Sequence, residues 1–330
     1  MSELRLTMTE FQLLRRLVYT QTGITLGSSK KALLQARLSG RLRELGMASF
    51  LSYYRYLRSA ENQQEELQHL VNRVATNTTA FFREPVHFAF LAELLLPAWR
   101  RNAAQSSAPR LRLWSAGCST GQEAYSLAAV LHSSFLDNPQ IDAKILATDV
   151  SSRALETAKA ATYREPLSVI PARWRGSFLN VRSGEQRYLT VAPAARARVS
   201  FRLLNLLTDR LPFRGRFDAI FCRNVLIYFD EPTRQAVIER LAAQLTPGGC
   251  LFLGLSEGLT RVPAGLAAMG QSIYQNYGQN YGQNYGQNYG QNHGQNHGQN
   301  HEQNHGQAHE SGSEPKLRTR ILHKGAAKNG

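Results

Sequence analysis

A chain of 330 residues, 42 % of them hydrophobic, is long enough for two compact domains and a tail. Its net charge of +15 calls for an acidic partner, whether nucleic acid, membrane surface or acidic protein, and basic surface, from 1–94 and 181–216, is expected on both sides of the glycine-bracketed turn at 114–125. The three cysteines, Cys118, Cys222 and Cys250, are too far apart for a metal knuckle and odd in number. A reduced, cytoplasmic setting is therefore expected, with no signal peptide and no apolar run near the ~18 residues of a membrane span.

The first 75 residues read as helices. Thr7 and Glu10 form a capping-box pair ahead of Phe11, and Gly23 ends that segment. Ser28 is expected to cap a second helix that buries Leu34, Leu38, Leu42 and Leu45 and stops at Gly46. Its other face carries Lys30, Arg37 and Arg41, a basic stripe expected to be exposed. Two more helices follow over 48–58 and 62–75.

From about residue 85 helices alternate with strands. The spacing predicts a helix at 86–102, a strand at 110–115, a helix at 121–135, a strand at 144–149 and a helix at 152–161. Strands at Val199 and Phe217, a helix at 232–245 and a strand at Cys250 complete the series. This is the pattern of a parallel, doubly wound α/β sheet. The segment Gln186–Val191, beside the Ser183-Gly184 turn, predicts a small antiparallel insertion near 178–199. Ligands of such sheets bind at the carboxyl ends of the strands, where Glu123, Asp149, Asn205 and Asn224 all fall.

The richest stretch is Trp114-Ser-Ala-Gly-Cys-Ser-Thr-Gly-Gln-Glu-Ala-Tyr125, a strand running through a glycine-bracketed turn into a helix. Gly117 and Gly121 are expected to let the backbone approach a ligand. Glu123 argues against a phosphate and for a ligand bearing hydroxyls or positive charge, such as S-adenosylmethionine. The spacing is not that of a dinucleotide fingerprint. Asp149, closing the next strand, suits two ribose hydroxyls, although it could instead cap the following helix, as Ser151 or Ser152 could.

Beyond Tyr274 the chain turns into Gln-Asn-Tyr-Gly tetrads from Gln275, then Gln-Asn-His-Gly tetrads, then a polar basic stretch. Too little apolar surface is present to offset chain ordering, so 275–330 is expected to be disordered. The tract's histidines, His293 to His309, read as repeat expansion rather than as a metal site.

Five blocks in order resemble one family, the chemotaxis receptor glutamate methyltransferases. They are Asn77–Glu84, Trp114–Tyr125, Ala147–Asp149, Asn205-Leu206 and Phe217–Asp230. The resemblance implies a Rossmann-like S-adenosylmethionine-dependent methyltransferase domain at 85–274 with a small antiparallel β-subdomain. An all-helical domain at 1–76 and an interdomain segment at 77–84 precede it. By matching motif positions, Asn77, Thr79, Arg83, Gly117, Glu123, Asp149, Asn205, Leu206, Asn224 and Val225 would hold S-adenosylmethionine and its product S-adenosylhomocysteine. Arg83 and Tyr228 would orient the substrate, with no metal.

The implied activity is methylation of glutamate carboxylates in the acidic helical cytoplasmic region of membrane chemoreceptors, by a monomer that binds no nucleic acid and does not insert in the membrane. Lys30, Arg37 and Arg41 would dock that region. The same chemistry on a receptor of a non-motility pathway, or a non-catalytic cofactor-binding scaffold, are the alternatives. RNA methylation is disfavoured because Asn224–Tyr228 lacks the prolines of an Asn-Pro-Pro-Tyr motif. One departure is Gly121-Gln-Glu-Ala-Tyr125, where relatives often read Gly-Glu-Glu-Pro-Tyr; Glu123 is retained.

Overall fold

The computed structural model describes residues 4–59, 63–104, 106–138 and 140–278. Four helices open the chain: α1 (Met8–Thr22), α2 (Lys31–Glu44), α3 (Phe50–Leu57) and α4 (Gln63–Val74). The Thr7–Glu10 capping box forms in both directions, and Gly23 ends α1 in the left-handed region at φ 71°. Leu14, Leu38, Leu42, Phe50 and Tyr53 meet in a buried core of their own.

Two local expectations for α2 are corrected. Ser28 opens a single 3-10 turn, Ser28–Lys30, and makes no side-chain cap, so α2 begins only at Lys31. The basic stripe is also largely spent inside the domain. Arg41 pairs with Glu66 at 2.7 Å, Glu66 also accepts from the Tyr53 hydroxyl at 2.7 Å, and the Glu66 side chain is only 3 % exposed. Arg37 donates to the Val74 carbonyl at the end of α4. Burying Glu66 requires a cation beside it, which is why Arg41 turns inward. Of the three residues only Lys30 is exposed; Arg37 and Arg41 are half-buried.

The helix expected at 86–102 runs as α5 (Pro85–Phe90), a π-helical stretch (Leu91–Leu95) and α6 (Leu96–Ala103). It leads into the main sheet, whose strands are β1 (Arg110–Ala116), β2 (Asp142–Asp149), β6 (Val199–Leu203), β7 (Phe217–Cys222), β8 (Leu245–Leu253), β9 (Leu266–Gly270) and β10 (Ile273–Asn276). Their order is β6-β2-β1-β7-β8-β10-β9. The first five are parallel, and β10 and β9 close the edge antiparallel, a hairpin that the reading of a parallel series did not include. Helices α7 (Gln122–Ser134), α8 (Ser152–Ala160) and α10 (Glu231–Ala243) connect strands.

The chain leaves β1 toward β2 and β6 and then returns to β7 on the other side. The strand order therefore reverses between β1 and β7, which puts the crevice at their carboxyl ends. The antiparallel insertion has three strands, β3 (Thr162–Tyr163), β4 (Phe178–Ser183) and β5 (Gln186–Val191), followed by the short α9 (Pro193–Arg196). It starts earlier than expected because Thr162–Tyr163 pairs with β5.

The expected start of the disordered tail is corrected at its first tetrad. Gln275 and Asn276 belong to β10, and the Asn276 amide donates to the Leu245 and Thr246 carbonyls at 3.1 Å each. Gly278 N–H in turn donates to Asn276 Oδ1 at 2.9 Å. These side-chain amides are used like ladder groups, which a compositional reading of Gln and Asn overlooks. The rest of the tail expectation, 279–330, lies outside the described residues.

The helical domain is fastened to the sheet close to that crevice. Asn72 of α4 accepts from Ser151 Oγ at 3.0 Å and donates to Ser152 Oγ at 2.9 Å, while Gln68 donates to the Val150 carbonyl at 2.9 Å. Past the end of α1, Thr25 N–H donates to the Tyr228 carbonyl at 2.8 Å.

Candidate functional site

A cavity with about 930 Å³ of empty space, its open mouth included, lies over the carboxyl ends of β1, β2, β6 and β7. Every residue expected to hold the cofactor lines it: Asn77, Thr79, Arg83, Gly117, Glu123, Asp149, Asn205, Leu206, Asn224 and Val225. Tyr228 lines it as well.

Glu123 stands in the first turn of α7 and accepts from Ser115 Oγ at 2.6 Å. Burial pushes its carboxyl up, against the opposing pull of the Arg223 guanidinium and the Ser115 hydroxyl. Asp149 ends β2 and accepts from Ser119 N–H and Ser151 N–H, each at 2.8 Å. Burial raises its carboxyl too, and those backbone donors offset part of the rise. The cap of α8 is Ser151, whose hydroxyl accepts from Ala154 N–H at 3.2 Å. Asp149 thus bonds the turn on one side and lines the cavity on the other.

The two glycines of the loop have different reasons. Gly117 (φ 83°) lies against Val225, whose Cγ2 methyl a Cβ would overlap. Gly121 (φ 97°) does not line the cavity: a Cβ there would come within 2.8 Å of Ala158 Cβ and 2.9 Å of the Tyr163 hydroxyl. Its expected approach to a ligand is therefore corrected to close packing of α7 on α8 and the insertion.

Asn205 accepts from Leu207 N–H at 3.0 Å and donates to the Gln21 carbonyl of α1 at 2.6 Å, so it shapes the loop after β6 and ties it to the helical domain. Asn224, left-handed at φ 58°, is held by Glu257, which accepts from Asn224 N–H at 2.6 Å, Gly254 N–H at 2.8 Å and Ile227 N–H at 3.1 Å. Asn77 contributes its carbonyl, which accepts from Ser119 Oγ at 3.0 Å. Phe81 and Phe82 face away from this chemistry. Phe81 packs edge-on against Tyr163 and Phe178 of the insertion, and Phe82 stacks on Trp174 at 4.6 Å.

Three residues of this site are given no role by the sequence reading, although Glu84 and Arg223 stand within its blocks. Arg223 has a buried side chain whose Nη2 donates to the Arg83 carbonyl and lies 3.5 Å from Glu84, while its Nε lies 3.5 Å from Glu123. Glu84 accepts from Asn224 Nδ2 and Leu255 N–H, both at 3.3 Å. Glu257 is the third. The available clue was a charged residue directly after an apolar strand, Cys222-Arg223, and a lone acid after the last parallel strand. Thr22 and Ile24, from the helical domain, also wall the cavity.

The cavity suits an amino-acid-bearing nucleoside: Glu123 stands in the first turn of the helix after β1 and the buried Asp149 at the end of the adjacent β2, an unsubstituted Gly117 lets Val225 close in, and a guanidinium lies beside Glu123. Fold and site together define a Rossmann-like S-adenosylmethionine-dependent methyltransferase.

Residues 77–274 match the family model described as CheR methyltransferase, SAM binding domain, and residues 9–75 match CheR methyltransferase, all-alpha domain. The chain belongs to the CheR methyltransferase family. It is 39 % identical over 279 residues to Chemotaxis protein methyltransferase 2 of Pseudomonas aeruginosa, covering 82 % of this chain and 94 % of that one. To Chemotaxis protein methyltransferase of Klebsiella aerogenes it is 37 % identical, covering 80 % and 88 %. To Chemotaxis protein methyltransferase of Escherichia coli it is 36 % identical, covering 82 % and 92 %. Among the described residues no helix is long and apolar enough to cross a membrane.

Proposed function

We propose that the protein methylates glutamate side-chain carboxylates in the acidic helical cytoplasmic region of chemoreceptors. The observation that supports this reading is that one cavity is lined both by the buried Asp149 and the half-buried Glu123 and by the exposed Arg83 and the half-buried Tyr228, with Thr22 and Ile24 of the helical domain beside them. When bound, S-adenosylmethionine supplies an electrophilic methyl group on a cationic sulfur.

A glutamate acceptor is already ionised near neutral pH, so the protein needs no general base and mainly positions. Holding carboxylate oxygen and methyl carbon in line supplies an advantage of about 7–11 kcal/mol in favourable cases. Transfer neutralises both charges, so a buried, tightly bidentate cation on the acceptor would hold the ground state more than the transition state. An exposed Arg83 at the mouth meets that demand. Tyr228 is anchored through its carbonyl to Thr25 N–H, which leaves its ring at the cavity wall to orient the acceptor.

Docking of an acidic helix draws on exposed cations of the helical domain, Lys30 and others such as Arg15 and Arg16, because Arg37 and Arg41 are engaged internally. The test is transfer of radiolabelled methyl from S-adenosylmethionine to receptor cytoplasmic fragments. Label that leaves the protein in mild base is expected; label on RNA, or none on any receptor, rejects the proposal.

A further inference from the structure

Arg196 and Arg202, from the arginine-rich stretch 181–216, take no part in lining the donor cavity. They line a second groove, with about 920 Å³ of empty space, its open side included, between the end of α8, the short α9 and the strand β6. Lys159 is its third cation, and no acid lines it. We propose that this groove docks an extended acidic segment of a partner protein, which adds to the main sheet as a further strand beside β6.

The edge of the sheet is open there. β6 is the outermost strand, and its ladder to β2 uses alternate residues. Ile145 N–H donates to the Arg198 carbonyl at 2.8 Å and Leu204 N–H to the Asp149 carbonyl at 3.0 Å. With a period of two, the backbone groups of Val199, Phe201 and Leu203 therefore point away from the sheet. None of those three N–H groups has an acceptor among the described residues. Such a row of unspent donors is a template for another strand. Leu203, an exposed apolar side chain on that edge, offers the added strand a hydrophobic contact.

Charge selects the occupant. Lys159, Arg196 and Arg202 are exposed, and among the described residues none of them forms an ion pair. Both arginines donate to backbone instead, Arg196 to the Lys159 carbonyl at 2.6 Å and Arg202 to the Phe201 carbonyl at 2.9 Å. Lys144 adds a fourth positive charge, donating to the Ala197 carbonyl at 3.3 Å. Like charges along one edge repel a second copy of this chain and attract an acidic strand. Nucleic acid answers the charge but brings no alternating donors and acceptors to match an open strand.

The probe is a blocked, fluorescent peptide of four Glu-Val repeats, read by anisotropy on the full-length protein. Binding is expected with a dissociation constant at or below about 100 µM, weakening as salt is raised, and the matching Lys-Val peptide is expected not to bind. Two isomers, N-methylated on every Glu or on every Val, separate strand addition from charge alone. A strand turns one set of N–H groups toward β6, so one isomer is expected to bind as the parent does and the other at least about tenfold more weakly. Arg196→Glu combined with Arg202→Glu is expected to weaken the parent peptide at least about tenfold while S-adenosylhomocysteine binding by calorimetry is unchanged.

Absence of acidic-peptide binding up to about 1 mM overturns the inference, as do equal affinities of the two N-methylated isomers or an unchanged affinity in the double variant. Tighter binding of an eight-nucleotide oligouridylate than of the peptide overturns it too. Should the double variant lose S-adenosylhomocysteine binding, Lys159→Glu decides in its place, with a loss of at least about threefold in peptide affinity expected.

Discussion

Replacing Glu257 by alanine tests whether one buried carboxylate holds the loop that walls the donor cavity. The residue is 1 % exposed and accepts from the backbone N–H groups of Asn224, Gly254 and Ile227, which join the end of β7 to the end of β8. Ile227 is exposed, so water can replace the carboxylate there. Gly254 is buried and Asn224 half-buried; a buried donor left unmatched costs about 1–3 kcal/mol and the half-buried one less, so Glu257→Ala is expected to destabilise by about 2–4 kcal/mol. Glutamine fills the same space but must present its NH₂ to at least one of the three donors. Its cost is therefore that of one mismatched bond, about 1–3 kcal/mol.

The contact can also be broken from the opposite side. A Cβ on Gly254 would lie 2.6 Å from Glu257 Oε2 and 2.7 Å from Asn224 Nδ2, so Gly254→Ala is expected to loosen the same loop without removing the acid. Urea unfolding gives the stabilities, and titration calorimetry with S-adenosylhomocysteine gives the affinity, expected to fall more than about tenfold in Glu257→Ala as the Asn224-Val225 wall loosens. The order alanine worse than glutamine, with Gly254→Ala also destabilised, is required. A Glu257→Ala protein within about 0.5 kcal/mol of the parent, binding S-adenosylhomocysteine normally, would refute the reasoning.

Further consequences are as direct. Gly117→Ala is expected to weaken S-adenosylhomocysteine binding by at least about tenfold by calorimetry, and Val225→Ala in the same chain should recover part of that loss, because the new methyl meets the Val225 side chain. Arg41→Glu should lower the stability of the helical domain by about 2–3 kcal/mol, discounted for its 19 % side-chain exposure, whereas Lys30→Glu should leave thermal unfolding unchanged; equal melting curves for both would contradict the internal pairing. Glu123 and Asp149 both have carboxyls raised by burial, so their protonated forms favour the folded apo state: this contribution is present at low pH and lost as pH rises through the raised values. If Glu123 receives the donor's ammonium, its deprotonated form is the binding one, so S-adenosylhomocysteine affinity measured between about pH 5 and pH 8 should rise with pH, and the slope should shrink in Glu123→Gln.

Regular elements were legible because their signals are local. The capping box at Thr7–Glu10, the strand–glycine–helix run into α7 and the acid closing β2 each specify backbone geometry within a few residues. What escaped depends on partners far along the chain. Arg41 looks solvent-facing on a helical wheel until Glu66, 25 positions later, brings a buried charge beside it. Glu257 lies in no block that spacing singles out, yet it orders Asn224 across 33 positions. Gln275 and Asn276 share the composition of a disordered repeat, and only the β8 edge beneath them gives those amides ladder work.

The helical domain is part of the donor site rather than an appendage beside it. Asn205, at the loop after β6, is bonded to Gln21 of α1; Tyr228, at the loop after β7, is bonded to Thr25; and Val150, next to Asp149, is bonded to Gln68 of α4. Three strand ends that form the crevice thus each share a hydrogen bond with the helical domain, Asn205 as donor and Tyr228 and Val150 as acceptors, and Thr22 and Ile24 also line the cavity. Separating the two domains would open the cavity at all three points together. If the acidic acceptor docks on the helical side as proposed, it bears on the same bonds that line the donor cavity, so S-adenosylhomocysteine affinity measured by calorimetry is expected to change when a receptor cytoplasmic fragment is present.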